Sequence, residues 1–389
     1  MNIVIIGGGV MGSSAAYHLA SHPGLTGTIT VIEREPGYTR ASSSLSASSI
    51  REQFSTPVNV AMSQFGLSFL QRAPDLRAVD GDRPDLGLRL PGYLFLASAA
   101  GVATLRENHA VQMGQGADVA LLTPEAIRAR FPWLSTEGVA EGSLGLSREG
   151  SFDGPGLLAA FRRKARALGV AYVAQDAVGF VRDGERVAAV ALADGSTVPC
   201  DVAVNAGGPW SARVAAMLGI DLPVRARKRM VYVLACRAAL PDCPLVVDPT
   251  GIWFRREGAY FLTGRCPGAG EADPDEPPLE VDEAMFHDII WPVLATRVPA
   301  FEAVRIASSW AGYYELNLFD HNGIVGPHPA APNVIHAAGF SGHGMQHAPA
   351  VGRGVAELIV DGGFRTLDLS PLAFTRLIER RPLLERNVV

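Results

Sequence analysis

Apolar positions along this chain follow two different periods, and the places where the period changes define its elements. Residues 3–6 (IVII) are an unbroken apolar run of strand length, and residues 10–21 repeat their apolar positions at helical spacing. A second apolar run ends at Ile32 and meets Glu33. Strand, helix and strand in that order predict a βαβ unit. Further on, 57–72 (PVNVAMSQFGLSFLQR) predicts a helix with Pro57 at its start. Residues 123–134 predict a short helix capped by Thr123, opened by Pro124 and stopped by Pro132, and 153–168 an amphipathic helix ended by Gly169. Residues 88–97 (LRLPGYLFLA) read as strands about a Pro-Gly turn. After a strand at 170–174, alternating runs broken by Asp183-Gly184 and Asp194-Gly195 predict a meander that closes in the buried strand 201–208.

From about 226 to 316 the pattern is mostly strand, with one helical stretch near 282–295 and an exposed Pro-, Gly- and acid-rich loop at 265–280. The segment NVIHAAGFSGHGMQHAPAVGRGVAELIVDG then repeats the opening plan of strand, Gly-rich turn and helix. No internal repeat accounts for this. The pattern predicts an α/β protein with a Rossmann-like domain built from 1–85, 141–225 and 317–389. A β-sheet-rich α+β insertion, 86–140 and 226–316, lies between those pieces.

Composition narrows the picture. A 48% hydrophobic content over 389 residues suffices for a large core, and a net charge of −5 implies no general affinity for nucleic acid. The basic cluster Arg225–Arg229 (RARKR) reads as a solvated strand entry ahead of MVYVLA. No apolar stretch is long enough to span a membrane. The four cysteines show no CxxC pairing, which disfavours zinc and points to reduced thiols in the cytoplasm.

The chemistry starts at Gly7, Gly9 and Gly12, which stand in G-x-G-x-x-G spacing between the first strand and the first helix. With 42 glycines in the chain the spacing alone says little; the flanking strand, helix and terminal acid make it a dinucleotide site. Gly7 turns the chain out of the strand, Gly9 lets the backbone approach a pyrophosphate, and Gly12 lets helix and strand pack closely. The helix N-terminus offers N–H groups and a positive dipole end to phosphates, and Glu33 can accept from a ribose. The segment has no basic n-region and its glycines interrupt any h-region, so it does not read as a signal peptide. Residues 41–49 (ASSSLSASS) form a small polar loop whose hydroxyls can meet a cofactor.

Three glycine-bearing segments in this order, GGGVMG with Glu33, NAGGPW, and AAGFSGHGMQHAPAVGRGVAELI, resemble the FAD-dependent amine and amino-acid oxidoreductases. That family includes D-amino-acid oxidase, glycine oxidase, sarcosine oxidase and dimethylglycine dehydrogenase. The resemblance covers essentially the whole chain. SSIREQFSTPVNVAMSQFGLSFL is similar to the sarcosine-oxidase and dimethylglycine-dehydrogenase branch, and to the FAD-dependent oxidoreductase-domain proteins known as respiratory complex I assembly factors. The resemblance implies an FAD-binding domain and places roles by position. Gly7, Gly9 and Gly12 would hold the pyrophosphate, Glu33 the ribose, and Arg34 would lie beside the adenosine. Ser42, Ser43 and Ser44 would line the flavin phosphates and ring, and the Val178 backbone would meet the adenine. Ala206, Gly207 and Trp210 would cover the pyrophosphate. Gly342, His343, Gly344, Met345 and Gln346 would form the turn at the isoalloxazine, where a helix N-terminus stabilises negative charge on reduced flavin. Arg51 matches an arginine that binds the substrate carboxylate, a task suited to a guanidinium fork. Tyr314 matches an active-site tyrosine; its neighbour Tyr313 faces the other way on the strand.

Departures from the family's pattern matter as much. Sarcosine oxidase has a lysine where Gln346 stands, so a carboxylate would meet a hydrogen-bonding group without charge. The cysteine that tethers FAD there falls near Gly312, and no histidine occurs in 41–51 to serve as the tether of dimethylglycine dehydrogenase, which implies non-covalent FAD. The oxygen-activating lysine falls near Leu262, with Arg255, Arg256 and Arg265 the nearest cations. Its loss favours an electron-transfer protein as the acceptor, with oxygen as the alternative. The expected reaction is oxidation of the C–N bond of a small primary or secondary amino acid or amine. Arg51, Tyr314 and Gln346 would be the substrate-handling groups, and His343 would be a structural hydrogen-bonding residue in its turn. The alternative is an FAD-binding assembly or scaffold protein with little turnover. An enzyme using a nicotinamide cofactor would not need the GHG turn.

Overall fold

In the computed structural model, which describes residues 1–76, 78–268 and 270–387, two sheets organise the chain. The first has six strands, in the order Ile324–His328, Ala331–Ala338, Val202–Asn205, Asn2–Ile6, Thr28–Glu33 and Ala171–Ala174. All neighbours are parallel except the first pair. A parallel strand is covered on both faces, which is why its sequence is continuously apolar. Ile3 and Ile5 pack with the helices Val10–Ala20 and Gly344–Val360, whereas Val4 and Ile6 pack against Val190, Ala203 and Leu218 on the other side. The meander covers that second side as a three-stranded antiparallel sheet, Ala177–Asp183, Arg186–Leu192 and Thr197–Pro199. The two helices approach closely where Ser14 Oγ donates to the Ala348 carbonyl at 2.6 Å. A Cβ on Gly352 would come within 2.2 Å of that hydroxyl.

The second sheet has eight strands, in the order Arg305–Asn317, Val224–Ala235, Tyr260–Arg265, Ile252–Glu257, Leu245–Val247, Tyr93–Ala97, Glu141–Gly145 and Val119–Leu122. It is antiparallel apart from the pairing of Leu245–Val247 with Tyr93–Ala97. Leu94, Tyr232, Phe254, Phe261 and Phe301 fill a core with the helical stretch 283–297. The alternate positions Tyr93, Phe95, Leu245 and Val247 form a smaller cluster. Such alternation is the signature of a sheet with two different faces.

Several expectations change here. The strand Glu141–Gly145, placed by the sequence division with the Rossmann-like segments, pairs instead with Tyr93–Ala97 and Val119–Leu122. Only Tyr93–Ala97 of the expected strands at 88–97 is regular; before it, Arg89 makes a single bridge to Ser151. The loop 41–49 contains a helical turn, Ser42–Leu45. The stretch 282–295 is broken into Glu283–Met285, a wider turn Phe286–Ile290, and Trp291–Arg297, whose second residue is Pro292. The helix Val102–Gly114 carried no readable pattern because it buries only Asn108 and Gln112.

Candidate active site

Between the two sheets lies a cavity of about 990 Å³, at the upper end of the roughly 300–1,000 Å³ usual for small-molecule sites. Gly7, Gly9, Glu33, Arg34, Ser42, Ser43, Ala206, Gly207 and Trp210 line it from the six-stranded sheet and its loops, and Val178 from the first strand of the meander. Arg51, Tyr314 and the whole turn Gly342–Gln346 also face it. Gly12 and Ser44 do not. A Cβ on Gly12 would sit 1.9 Å from the Gly7 carbonyl, so its task is the close packing of helix on strand.

The cradle end is built by backbone constraint. Gly7 has φ +99, and a Cβ there would come 2.3 Å from the Ala206 carbonyl oxygen. No other residue tolerates both conditions. Glu33 accepts from the Gly8 N–H at 2.8 Å and from its own neighbour Glu35 at 2.9 Å. Its carboxylate therefore ties the end of the second strand to the glycine turn. Ser43 Oγ accepts from the Val10 N–H at 2.9 Å, at the start of the first helix. Ser42 donates to the Tyr313 carbonyl at 2.5 Å. The Arg34 guanidinium stacks 3.9 Å over the Trp210 ring, forming a flat wall. A glycine-lined groove, a dipole-bearing helix start and a planar wall within one long cavity suit a dinucleotide such as FAD.

The other end is built around Arg51, which is 3% exposed. Its side chain donates to the carbonyls of Gln53 and Asn387, and Nη2 lies 3.0 Å from His343 Nε2. The Phe54 ring lies 4.2 Å from its Cζ. Among the described residues no carboxylate is ion-paired with it. A buried cation held only by neutral acceptors favours an anion as its remaining partner. The loop that carries it is clamped by Glu149, whose carboxylate accepts from the Glu52 N–H at 2.6 Å, the Gln53 N–H at 3.0 Å and Gln53 Nε2 at 2.7 Å. Burial pushes the Glu149 carboxyl up to about 7 despite those donors and Arg51.

Gln346 takes an unexpected part. Its Oε1 accepts from the Arg51 backbone N–H at 2.8 Å, so the side chain fixes the arginine's own main chain. The Tyr314 hydroxyl donates to the Ser341 carbonyl, and its ring fills the space above Gly342, where a Cβ would come within 2.2 Å of Cε2. Burial raises the Tyr314 phenol well above its ordinary value, so it stays protonated. Burial and Arg51 hold His343 well below its ordinary value, as a neutral ring.

Sequence reasoning missed several residues that line this end. Tyr93, Trp253, Arg229, Arg265 and Cys266 come from the eight-stranded sheet and its loop, and Glu315 lies one residue past Tyr314. Burial pushes the Glu315 carboxyl up to about 7. Arg229 is engaged bidentately by Asp273 at 2.9 Å on both arms, and Arg265 by Glu271 at 2.5 and 2.6 Å. The cluster expected to be a solvated strand entry is therefore latched to the acidic loop, with Arg225 also 3.6 Å from Asp275. Only the strand alternation around Tyr93 and Tyr314 could have signalled these residues.

Comparison with known proteins agrees with this geometry. The chain is 45% identical to FAD-dependent oxidoreductase domain-containing protein 1 of Xenopus laevis, over all of this chain and 85% of that one. It is 28% identical to 4-methylaminobutanoate oxidase (formaldehyde-forming) of Paenarthrobacter nicotinovorans, over 92% of this chain and 43% of that protein. The crystal structure of L-proline dehydrogenase from P. horikoshii superposes with a TM-score of 0.85 at 26% identity, covering 97% of this chain and 98% of that one. The family model described as FAD dependent oxidoreductase matches residues 2–358, and the chain belongs to that family.

Proposed function

We propose that this protein oxidises the C–N bond of a small primary or secondary amino acid, with FAD held non-covalently in the glycine-lined end of the cavity. The observation that carries this reading is Arg51: a buried guanidinium with no carboxylate partner among the described residues, facing the same cavity as the glycine cradle. FAD, when bound, supplies the acceptor for the two electrons and the hydrogen that leave the α-carbon. The chain's own share is orientation. Arg51 binds the substrate carboxylate through charge-assisted hydrogen bonds. Gln346 and Glu149 hold its loop, and Tyr314 forms a wall that cannot ionise near neutrality. The amine binds neutral, so no side chain need act as its base, and the imine product is hydrolysed by water.

Supporting a C–N substrate are relatives named for such donors, among them the 4-methylaminobutanoate oxidase above and sarcosine dehydrogenase of Mus musculus, 27% identical over 93% of this chain. The acceptor is proposed to be other than oxygen, since Arg229 and Arg265 are both paired with acids and the position of the oxygen-activating lysine of sarcosine oxidase falls near Leu262. The test is anaerobic mixing of the FAD-loaded protein with sarcosine, proline, glycine and D-amino acids, followed by oxygen. Bleaching by at least one amino acid, with slow recovery in oxygen, is expected. A flavin that stays oxidised throughout sinks the proposal. It would favour the scaffold reading, which the 45% likeness to a protein named only for its domain also motivates.

A further inference from the structure

The segment Leu383–Asn387 crosses the loop that carries Arg51, far from it in sequence. Glu385 is fully buried, and its carboxylate gathers five donors: the Ser55 N–H at 2.8 Å, Ser55 Oγ at 2.7 Å, Thr56 Oγ1 at 3.0 Å, Asn59 Nδ2 at 2.9 Å and the Asn387 N–H at 3.0 Å. The Leu383 and Glu385 N–H groups donate to Asp320, both at 3.0 Å. Beyond this anchor, Asn387 Nδ2 donates to the Gln53 carbonyl at 3.1 Å, and Asn387 Oδ1 accepts from Asn108 Nδ2 at 3.0 Å. The Asn387 carbonyl accepts from the Arg51 guanidinium.

We infer that Leu383–Asn387 is a positioning strap for the carboxylate site: Glu385 anchors it, and Asn387 aims the Arg51 guanidinium into the cavity. This rests on the proposed role of Arg51 and extends it to residues that touch neither cofactor nor substrate. The physical argument is one of preorganisation. An arginine side chain has many rotamers, and fixing its fork before the ligand arrives removes that entropy from the binding step. Gln53, His343 and Asn387 each supply one acceptor, and only Asn387 comes from outside the Arg51 loop and the flavin turn. Loosening the strap returns freedom to the guanidinium without changing the glycine cradle on the opposite side of the cavity.

The test uses the full-length, FAD-loaded protein and two inert probes, benzoate and benzyl alcohol, with binding read from the shift of flavin absorbance. Glu385→Gln and Asn387→Gly keep the Asn387 carbonyl but loosen the strap that holds it, so the benzoate dissociation constant should rise up to about tenfold, the cost of ordering one rotamer-rich side chain on binding, while benzyl alcohol changes by less than about twofold. FAD content and melting temperature are followed in parallel. If Glu385→Gln fails to fold, Asn387→Gly alone decides the matter. Equal weakening of both probes, or of neither, overturns the strap. If benzoate does not bind the unmodified protein, the carboxylate site itself is wrong, an outcome separate from failure of the strap.

Discussion

Nη2 of Arg51 lies 3.0 Å from Nε2 of His343. An arginine in a protein always donates, so this histidine nitrogen must accept, and the ring must be neutral with its proton on Nδ1. Burial and the arginine's charge both press in that direction.

The first prediction follows from this pairing. His343 is an acceptor for Arg51 rather than a base. His343→Gln, which keeps an acceptor, should retain most activity. His343→Leu should raise KM for carboxylate substrates by an amount corresponding to about 1–3 kcal/mol, the cost of leaving a buried charged donor unpaired. The pH profile of kcat should show no inflection attributable to His343. An inflection near 6.5 that vanishes in His343→Gln would contradict the assignment.

Restoring the lysine of sarcosine oxidase should not restore a tighter carboxylate site. Gln346 Oε1 is the acceptor for the Arg51 N–H, and an ammonium cannot accept. Gln346→Lys should lose about 1–3 kcal/mol of stability, measured by denaturant titration, and should bind benzoate no better than the unmodified protein. Tighter benzoate binding would show that Arg51 does not depend on this contact.

Two alanine substitutions should separate the two ends of the cavity. Gly7→Ala places a Cβ 2.3 Å from the Ala206 carbonyl at φ +99, so the protein should be recovered without FAD or not at all. Gly342→Ala meets the Tyr314 ring at 2.2 Å, also at positive φ. Displacing that ring should lower kcat at saturating substrate more than it lowers FAD content. Flavin-to-protein absorbance ratios and kcat check both; normal FAD content in Gly7→Ala would refute the cradle.

Stability should carry a mark of Glu149. Its carboxyl is raised from 4.5 to about 7 by burial, so the folded state binds the proton more tightly than the unfolded state. The stabilisation is complete below about 4.5 and disappears as pH rises toward 7, a change of roughly 3 kcal/mol at most. His336 and His347, lowered by burial to about 4 and about 3, act oppositely: their contribution is present above 6.5 and is lost on acidification. Comparing unmodified protein with Glu149→Gln isolates the first effect. The variant's melting temperature should gain on the parent's between pH 5 and 7.5. A difference independent of pH would show that Glu149 does not titrate in this range.

The opening βαβ unit was legible because a strand covered on both faces must be apolar at every position, and Ile3–Ile6 is. The glycines of the cradle were legible because backbone geometry leaves no substitute at Gly7. Arg51 and Tyr314 were legible only through resemblance, since nothing in their local pattern differs from an ordinary arginine or strand tyrosine. Glu149, Glu385 and Asn387 were not legible at all. Apart from the contact between Glu385 and Asn387 themselves, their partners in and beside the Arg51 loop lie 96 to 336 positions away, and no local periodicity encodes such pairings. The helix Val102–Gly114 was missed for the opposite reason: it is mostly exposed, so burial imposed no stripe on it.

The packing of Gly7 against the Ala206 carbonyl has a consequence in time. A ribosome releases the chain from its N-terminus, and strand Asn2–Ile6 finds its neighbour Val202–Asn205 only about 200 residues later, roughly 10–40 s at ordinary elongation rates. The turn Gly342–Gln346 comes later still. Until then a nascent chain exposes an unpaired parallel strand edge and half a nucleotide groove. That early strand must therefore wait, a natural client for chaperones, and cofactor capture must await the emergence of the turn Gly342–Gln346.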